Sequence, residues 1–174
     1  MPANIEIKAR ASAPAVLRET AREIAGTAPE LIAQTDSFFR VSEGRLKVRE
    51  FADGSGELIF YRRPDAEGPK TSDYAIAPTA DGRALCRVLS AALPVRGVVK
   101  KTRLLFMAGR TRIHLDEVEG LGHYLELEVV LADGDSFKGG EAEAERLMEQ
   151  LGIGTDDLVD RAYLDLLADR RPPR

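Results

Sequence analysis

Acidic side chains occupy alternate positions in the last two predicted strands, where a buried core would need apolar ones. Glu126 and Glu128 lie two residues apart in one strand, and Asp116 lies in the strand before it. Because successive side chains of a strand point to opposite faces, such carboxylates share one face while leucine, isoleucine and valine fill the other. Neighbouring carboxylates repel each other unless a cation lies between them. The pattern indicates either a solvated sheet face or a site for a divalent cation.

Cationic side chains follow the same alternation in other predicted strands, so that the two signs of charge are largely separated by strand. The first strand carries Glu6, Lys8 and Arg10 on one face. Later strands carry mainly cations, namely Lys47 with Arg49, Lys101 with Arg103, and Arg112 in the strand that holds His114 and Asp116. A solvated sheet tends to mix charges so that neighbours on adjacent strands pair. Separated signs favour a site that binds a polyanion together with a metal ion.

Composition limits the classes of protein that the chain can represent. With 174 residues, 44% of them hydrophobic, it is long enough for one domain with a real core, predicted over residues 1–169 and followed by a disordered tail at 170–174. A net charge of -4 argues against wholesale binding to nucleic acid or to an anionic membrane. No apolar run approaches the ~20 residues of a membrane span. We predict a cytoplasmic protein in which the single cysteine, Cys86, is a buried structural thiol.

Hydrophobic periodicity and turn residues predict an α+β fold with eight strands and four helices. The strands are predicted at residues 4–10, 35–41, 45–51, 57–63, 72–77, 98–106, 110–118 and 123–131. The helices are predicted at residues 14–25, 81–92, 141–151 and 155–168. The short glycine-containing links between most strands suit hairpins, so the sheet is predicted to be antiparallel.

Eight antiparallel strands can close into a barrel whose interior holds side chains or one small ligand. If the charged faces pointed to solvent, apolar side chains would fill the barrel, and the amphipathic helices would have no apolar surface to cover. We therefore predict a closed eight-stranded antiparallel β-barrel that forms a tunnel lined by charged residues. The helices are predicted to pack on its outer apolar face.

Several segments together resemble the CYTH superfamily, whose members are also called triphosphate tunnel metalloenzymes. The resemblance rests on the order and spacing of Asn4-Ile5-Glu6-Ile7-Lys8, Leu46-Lys47-Val48-Arg49-Glu50, Val99-Lys100-Lys101-Thr102-Arg103, Asp116, and Gly120-Leu121-Gly122 followed by Glu126-Leu127-Glu128. The superfamily includes class IV adenylate cyclases, thiamine triphosphatases and inorganic triphosphatases. The resemblance implies a tunnel that holds a triphosphate among basic residues, with Mg²⁺ or Mn²⁺ held by acidic ones.

The N-terminal signature of the superfamily, Glu-x-Glu-x-Lys, falls here on Asn4, Glu6 and Lys8, so its first acid is absent. Asn4 offers a neutral carbonyl oxygen instead, which favours one strongly held metal ion over two. The resemblance implies metal ligands at Asn4, Glu6, Asp116, Glu126 and Glu128. It implies phosphate-binding residues at Lys8, Arg10, Lys47, Arg49, Arg63, Lys101, Arg103 and Arg112, with Arg63 chosen over the adjacent Arg62.

The sequence also indicates roles for two tyrosines, one histidine and one lysine. His114 shares a strand face with Asp116 and is a candidate proton shuttle, or else a tunnel-lining histidine hydrogen-bonded to a carboxylate. Tyr61 and Tyr124 are expected either to contact an organic group or to pack. Lys70 follows a Gly-Pro pair and is expected to be an exposed loop lysine, the alternative being a lysine that approaches the ligand.

The sequence contains no evident Ser-His-Asp or Cys-His set, and phosphoanhydride chemistry needs positioning and charge neutralisation more than covalent help. We expect a metal-dependent triphosphatase, with Glu126, Glu128, Lys8 and His114 as catalytic residues, that acts on ATP, inorganic triphosphate or thiamine triphosphate. A class IV adenylate cyclase that converts ATP into cAMP and pyrophosphate is one alternative, and a non-catalytic binder of polyphosphate or nucleotide is the other. No nucleic-acid or membrane partner is expected, and the sequence leaves the subunit number open.

Overall fold

The strands and helices follow the predicted order along most of the chain. The computed structural model describes residues 3–170. The strands are β1 (Ala3–Arg10), β2 (Glu30–Phe39), β3 (Arg45–Phe51), β4 (Gly56–Arg62), β5 (Lys70–Thr79), β6 (Val95–Ala108), β7 (Thr111–Val118) and β8 (Gly122–Leu131). The helices are α1 (Pro14–Ala25), α2 (Gly82–Ala92), α3 (Phe137–Gln150) and α4 (Tyr163–Asp169), with a 3₁₀ turn at Thr155–Asp157. Strand β2 begins five residues before its predicted start, and α3 begins four residues before its own.

The eight strands form one closed barrel in the order β1-β5-β4-β3-β2-β6-β7-β8, and every neighbouring pair is antiparallel. The β1–β8 pairing closes the barrel and sets Glu6 opposite Glu128 and Lys8 opposite Glu126. The β6–β7 hairpin turns at Gly109, whose φ of 59° lies in the left-handed region that a glycine adopts without steric cost. The predicted closed antiparallel barrel is therefore confirmed.

The two faces of each strand divide between charge and hydrocarbon, as the sequence pattern predicts. The apolar faces of β1, β6, β7 and β8 point outward and form a core with α1 and α3. This outer core contains Ile5, Ile7, Phe106, Ile113, Leu125, Leu127 and Val129, which are each at most 1% exposed. Because burial of apolar area contributes about 25 cal/mol per Å², these contacts keep the strands oriented with their charged faces inward.

Helix α2 is less buried than its apolar pattern suggests. Val88, on the predicted apolar face, is 65% exposed, and Leu85 and Leu89 are only half-buried. The helix packs mainly on β3, where the outer barrel surface includes the polar Glu50 and offers less apolar area. The prediction that Cys86 is buried is therefore wrong, since its thiol is half-buried and free.

The last predicted helix, over residues 155–168, is wrong in its first half. After the 3₁₀ turn the chain is not helical from Leu158 to Ala162, and helix α4 begins only at Tyr163. Leu158 forms a β-bridge with Ala9, and the Val159 N–H donates to the carbonyl oxygen of Lys8 at 2.9 Å. Strand β1 pairs with β5 only as far as Glu6, so this segment completes the hydrogen bonding of the strand's second half.

No helix within residues 3–170 is long and apolar enough to cross a membrane. Residues 171–174, which make up most of the tail predicted to be disordered, lie outside the described residues.

Candidate active site

The barrel encloses a cavity of about 330 Å³ whose wall carries most of the charged residues singled out in the sequence. All eight strands and the start of α4 contribute to this wall. Its charged residues are Glu6, Lys8, Asp36, Lys47, Arg49, Glu57, Arg63, Lys101, Arg103, Arg112, Glu126 and Glu128. Asn4, His114, Tyr61 and Tyr163 also line it. The alternation of strand side chains thus brings these residues to one cavity inside the barrel.

On one side of the cavity, two cations share a buried acid. Lys47 Nζ lies 2.7 Å from Asp36 Oδ2, and Arg49 donates from Nε to Asp36 Oδ1 at 2.9 Å. Burial would raise the Asp36 pKa, but the charges of Lys47 and Arg49 outweigh it and hold that pKa well below its usual range. Burial and then the Arg49 charge lower the pKa of Lys47 to about 7, against the attraction of Asp36. Asp36 was not among the predicted site residues, because alternation places it on the same face of β2 as the apolar Phe38 and so gives no sign that this face points inward.

A second cationic pair shares a different acid. Asp116 is 1% exposed and accepts hydrogen bonds from Arg103, Lys101 and Tyr163. The Tyr163 hydroxyl donates at 3.0 Å, so the displaced start of α4 contributes to this cluster. Burial would raise the Asp116 pKa, but Arg103 and then Lys101 hold it well below its usual range. Asp116 does not line the cavity, and its predicted role as a metal ligand stays a prediction.

Glu126 contacts a cationic side chain through each of its two carboxylate oxygens. Its Oε1 is 3.0 Å from Lys8 Nζ, and its Oε2 accepts from Arg103 Nη2 at 2.6 Å. Burial would raise the Glu126 pKa, but Lys8 and then Lys101 keep it well below the usual value. Lys8 also lies 3.9 Å from the centre of the Tyr163 ring. The carboxylate is therefore ionised and fixed in position.

His114, Glu126 and Glu128 form a group that could hold a metal ion. Each offers one donor atom, and the three atoms lie within 4.8 Å of one another. His114 Nδ1 is 3.9 Å from Glu126 Oε2 and 3.7 Å from Glu128 Oε1. Burial and then the charge of Glu6 raise the pKa of Glu128, while burial and then Arg103 hold the His114 pKa well below its usual value. A neutral imidazole and two carboxylates are a donor set that fits a divalent cation.

The remaining predicted metal residues lie on β1. Glu6 lines the cavity and accepts from Arg63 Nη1 at 2.7 Å. Asn4 also lines the cavity, and its buried Oδ1 has no hydrogen-bond partner among the described residues. Asn4, which stands where the superfamily signature has an acid, thus offers a carbonyl oxygen that is free to bind a donor or a cation.

The other basic residues considered in the sequence differ in burial and in whether they line the cavity. Arg63 lines the cavity, whereas Arg62 is exposed and pairs with Glu43. Arg10 is exposed and lies outside the cavity lining. Lys70 was expected to be exposed, but it is only 5% exposed as the first residue of β5, where its Nζ donates to the Ala66 carbonyl at 2.6 Å. Burial and then the charge of Arg63 lower its pKa to about 8.

The two tyrosines with open interpretations have different surroundings. Tyr61 lines the cavity, with Lys47 Nζ 5.7 Å from its ring centre. Tyr124 is 5% exposed and packs edge-on against Tyr163, with ring centres 5.1 Å apart. Tyr61 is thus available to a ligand in the cavity, and Tyr124 packs.

Comparisons with known proteins agree with this architecture. The family model of the CYTH domain matches residues 2–163. A protein of Methanocaldococcus jannaschii, named "Putative adenylate cyclase MJ0240", is 25% identical over 133 residues, which cover 75% of each chain. The structure of the PH1012 protein of Pyrococcus horikoshii has a TM-score of 0.80 at 21% identity and covers 94% of this chain and 99% of that one. The Hippeastrum protein HpAC1, an adenylyl cyclase by name that is described as revealing a dominant triphosphatase activity, has a TM-score of 0.65 at 16% identity, with coverage of 98% and 97%.

Proposed function

Since the chain belongs to the CYTH domain family, we propose that it is a divalent-metal-dependent enzyme that binds a triphosphate in the barrel cavity and hydrolyses a phosphoanhydride bond. The observation that carries this proposal is the barrel cavity, which brings two cationic pairs to the same volume as the group His114, Glu126 and Glu128. A polyanion with its metal ion requires both kinds of partner within a few ångströms.

The balance of charge in the wall supports a need for metal. Among the described residues, seven cationic and five acidic side chains line the cavity, so the wall carries a formal excess of two positive charges when all twelve are ionised. A triphosphate carries about four negative charges near neutral pH, since each phosphate contributes one and the terminal group ionises further. The wall alone therefore leaves such an anion undercompensated in a partly desolvated site. One divalent cation would close the difference.

The chain's own residues would bind and orient the phosphates. Lys47 and Arg49 on β3 would hold one part of the polyphosphate, and Lys101 and Arg103 on β6 the next. Arginine is suited to this task because its fork can donate two parallel hydrogen bonds to phosphate oxygens. Asp36 and Asp116 hold these side chains in place before the ligand arrives. Such preorganisation lowers the reorganisation that the reaction requires.

The acidic side of the cavity would hold the metal ion. Glu126 and Glu128 would be ligands together with His114, and Asn4 has a free carbonyl oxygen in the same lining. When bound, a divalent cation neutralises charge on phosphate oxygens and lowers the pKa of water. Lys8, 3.0 Å from Glu126, would place a positive charge beside the phosphate that departs.

A class IV adenylate cyclase is the second candidate function. The M. jannaschii relative bears an adenylate cyclase name, and Tyr61 offers an aromatic surface in the cavity wall to a nucleobase. In that reaction the 3′-hydroxyl of the ribose attacks the innermost phosphate and pyrophosphate leaves. The polar residues required are nearly the same, and the Hippeastrum protein illustrates that a cyclase name and a triphosphatase activity can occur together. A non-catalytic binder is the third candidate, because Asn4 stands where the family signature has an acid.

A substrate panel separates these functions. ATP, inorganic triphosphate and thiamine triphosphate would each be incubated with the protein and Mg²⁺ or Mn²⁺, and released phosphate, pyrophosphate and cAMP would be measured. We expect phosphate release that chelator abolishes. Glu128→Gln should abolish turnover. Glu117 is an exposed acid on the outer face of β7, opposite to the face that carries His114, so Glu117→Gln should leave turnover unchanged. Formation of cAMP would select the cyclase, and metal-independent binding without any product from all three compounds would select the binder.

A further inference from the structure

His114 has an unusual position for a histidine beside two carboxylates. Its side chain is 4% exposed, yet its Nδ1 atom has no hydrogen-bond partner among the described residues. The distances from Nδ1 to Glu126 Oε2 and Glu128 Oε1, 3.9 and 3.7 Å, exceed those of a hydrogen bond. His114 therefore lines the cavity without a hydrogen bond from Nδ1 to either carboxylate. A buried polar atom without a partner is costly, which calls for an explanation.

The two distances from His114 Nδ1 suit donor atoms that share a cation. Two donor atoms that each bind one ion at about 2.1–2.2 Å can lie at most about 4.4 Å apart. Both Nδ1 distances fall below this limit and above the hydrogen-bond range. The imidazole is held by its strand, since the flanking Ile113 and Leu115 are buried in the outer core. His114 thus presents a nitrogen toward the two carboxylates from a fixed backbone.

We propose that His114 is a metal ligand together with Glu126 and Glu128, and that its nitrogen makes the site prefer a later first-row transition cation such as Co²⁺ or Zn²⁺ over Mg²⁺. Magnesium is a hard cation that takes oxygen ligands and retains its water, whereas imidazole suits the transition metals. A site built from carboxylates alone would lack this bias. The inference deepens the proposed function and rests on its metal site.

Nitrogen ligation can be measured directly without substrate. The chain has two histidines, His114 and His123, and His123 is exposed, so an untagged protein offers one candidate nitrogen and one matched control. Pulsed electron paramagnetic resonance of the Mn²⁺-loaded protein should show ¹⁴N modulation from an imidazole. The modulation should persist in His123→Gln and vanish in His114→Gln. Its absence from the wild type, or its persistence in His114→Gln, would overturn the proposal.

Metal affinities give a second, independent readout. By calorimetry, His114→Gln should weaken Co²⁺ binding on the order of tenfold or more, and Mg²⁺ binding should change far less. An equal loss for both cations would overturn the preference. If His114→Gln does not fold, wild-type protein with ¹⁵N-labelled histidine decides the matter, since bound ¹¹³Cd²⁺, which is diamagnetic, should show one-bond scalar coupling to a His114 ring nitrogen and none to His123, and bound ¹¹³Cd²⁺ without such coupling would overturn the proposal. Turnover in the substrate panel is measured separately, so nitrogen ligation without turnover would sink the proposed function alone, and turnover without nitrogen ligation would sink this inference alone.

Discussion

Arg103 donates two hydrogen bonds to Asp116, from Nε to Oδ1 at 2.6 Å and from Nη2 to Oδ2 at 2.7 Å. The same Nη2 atom also donates to Glu126 Oε2 at 2.6 Å. One guanidinium therefore connects a fully buried acid with an acid of the cavity wall. Asp116 fixes the direction of Arg103, and Arg103 in turn fixes Glu126.

Removal of Asp116 should destabilise the protein strongly. In Asp116→Ala, Lys101 and Arg103 would remain buried without their main counter-ion. Breaking a buried ion pair by removing one partner costs about 3–5 kcal/mol, because the remaining charge is uncompensated. We expect a loss of this size in the free energy of unfolding, measured by urea denaturation.

A surface pair provides the control for this variant. Glu43 pairs with Arg62, and their side chains are 76% and 56% exposed, so Glu43→Ala should change stability little. If Asp116→Ala were as stable as the wild type but unable to bind Mn²⁺, Asp116 would be a metal ligand, as the sequence resemblance implies, and not the counter-ion of Arg103.

Glu128 should behave in the opposite way. It pairs with Arg112 at 3.5 Å, and burial with the nearby Glu6 charge already disfavours its ionised form. Glu128→Gln therefore removes little attraction and some repulsion, so we expect stability to stay within about 1 kcal/mol of the wild type. Metal affinity and turnover should fall by at least tenfold, since a ligand is lost. Calorimetry with Mn²⁺ and urea denaturation test the two halves, and an intact Mn²⁺ affinity would contradict the assignment.

Much of the site could be predicted from strand periodicity. Alternation places Lys47 with Arg49 and Glu126 with Glu128 on common faces, and the need of helices for an apolar surface decides that these faces point inward. The closed barrel confirms that orientation. Local sequence determines which side of a strand a residue occupies, because the period of two is rigid.

Contacts between distant segments could not be predicted in the same way. The helical pattern of residues 155–168 is real, but Leu158 and Val159 instead satisfy the open half of β1, which lies some 150 residues away in sequence. Likewise, the burial of Lys70 depends on carbonyl groups of Ala66 and Asp160 that a Gly-Pro motif does not reveal. Tertiary hydrogen bonding outweighs local propensity in both places.

Asn4 should limit the number of metal ions that the cavity holds. Its carbonyl oxygen is neutral and unpartnered, whereas a carboxylate there would add a negative charge to the lining. We expect calorimetry to give one Mn²⁺ per chain in the wild type and a second, weaker site in Asn4→Glu, with higher turnover. Asn4→Gln, which lengthens the side chain without charge, should keep one site. Two sites in the wild type would contradict this expectation.

Binding of a phosphate chain should weaken as the pH rises through the pKa of Lys47. Burial and the neighbouring Arg49 lower this pKa to about 7, so Lys47 is charged below pH 7 and neutral above it. Loss of one charged hydrogen-bond donor should weaken affinity for inorganic triphosphate by about tenfold between pH 6 and pH 8. The ligand becomes more negative over the same range, so the dissociation constant should be compared with that of Lys47→Arg, which stays charged throughout. In metal-free calorimetry the dissociation constant of the wild type, divided by that of Lys47→Arg, should rise with pH. A ratio that stays flat would show that Lys47 does not titrate in this range or does not contact the phosphates.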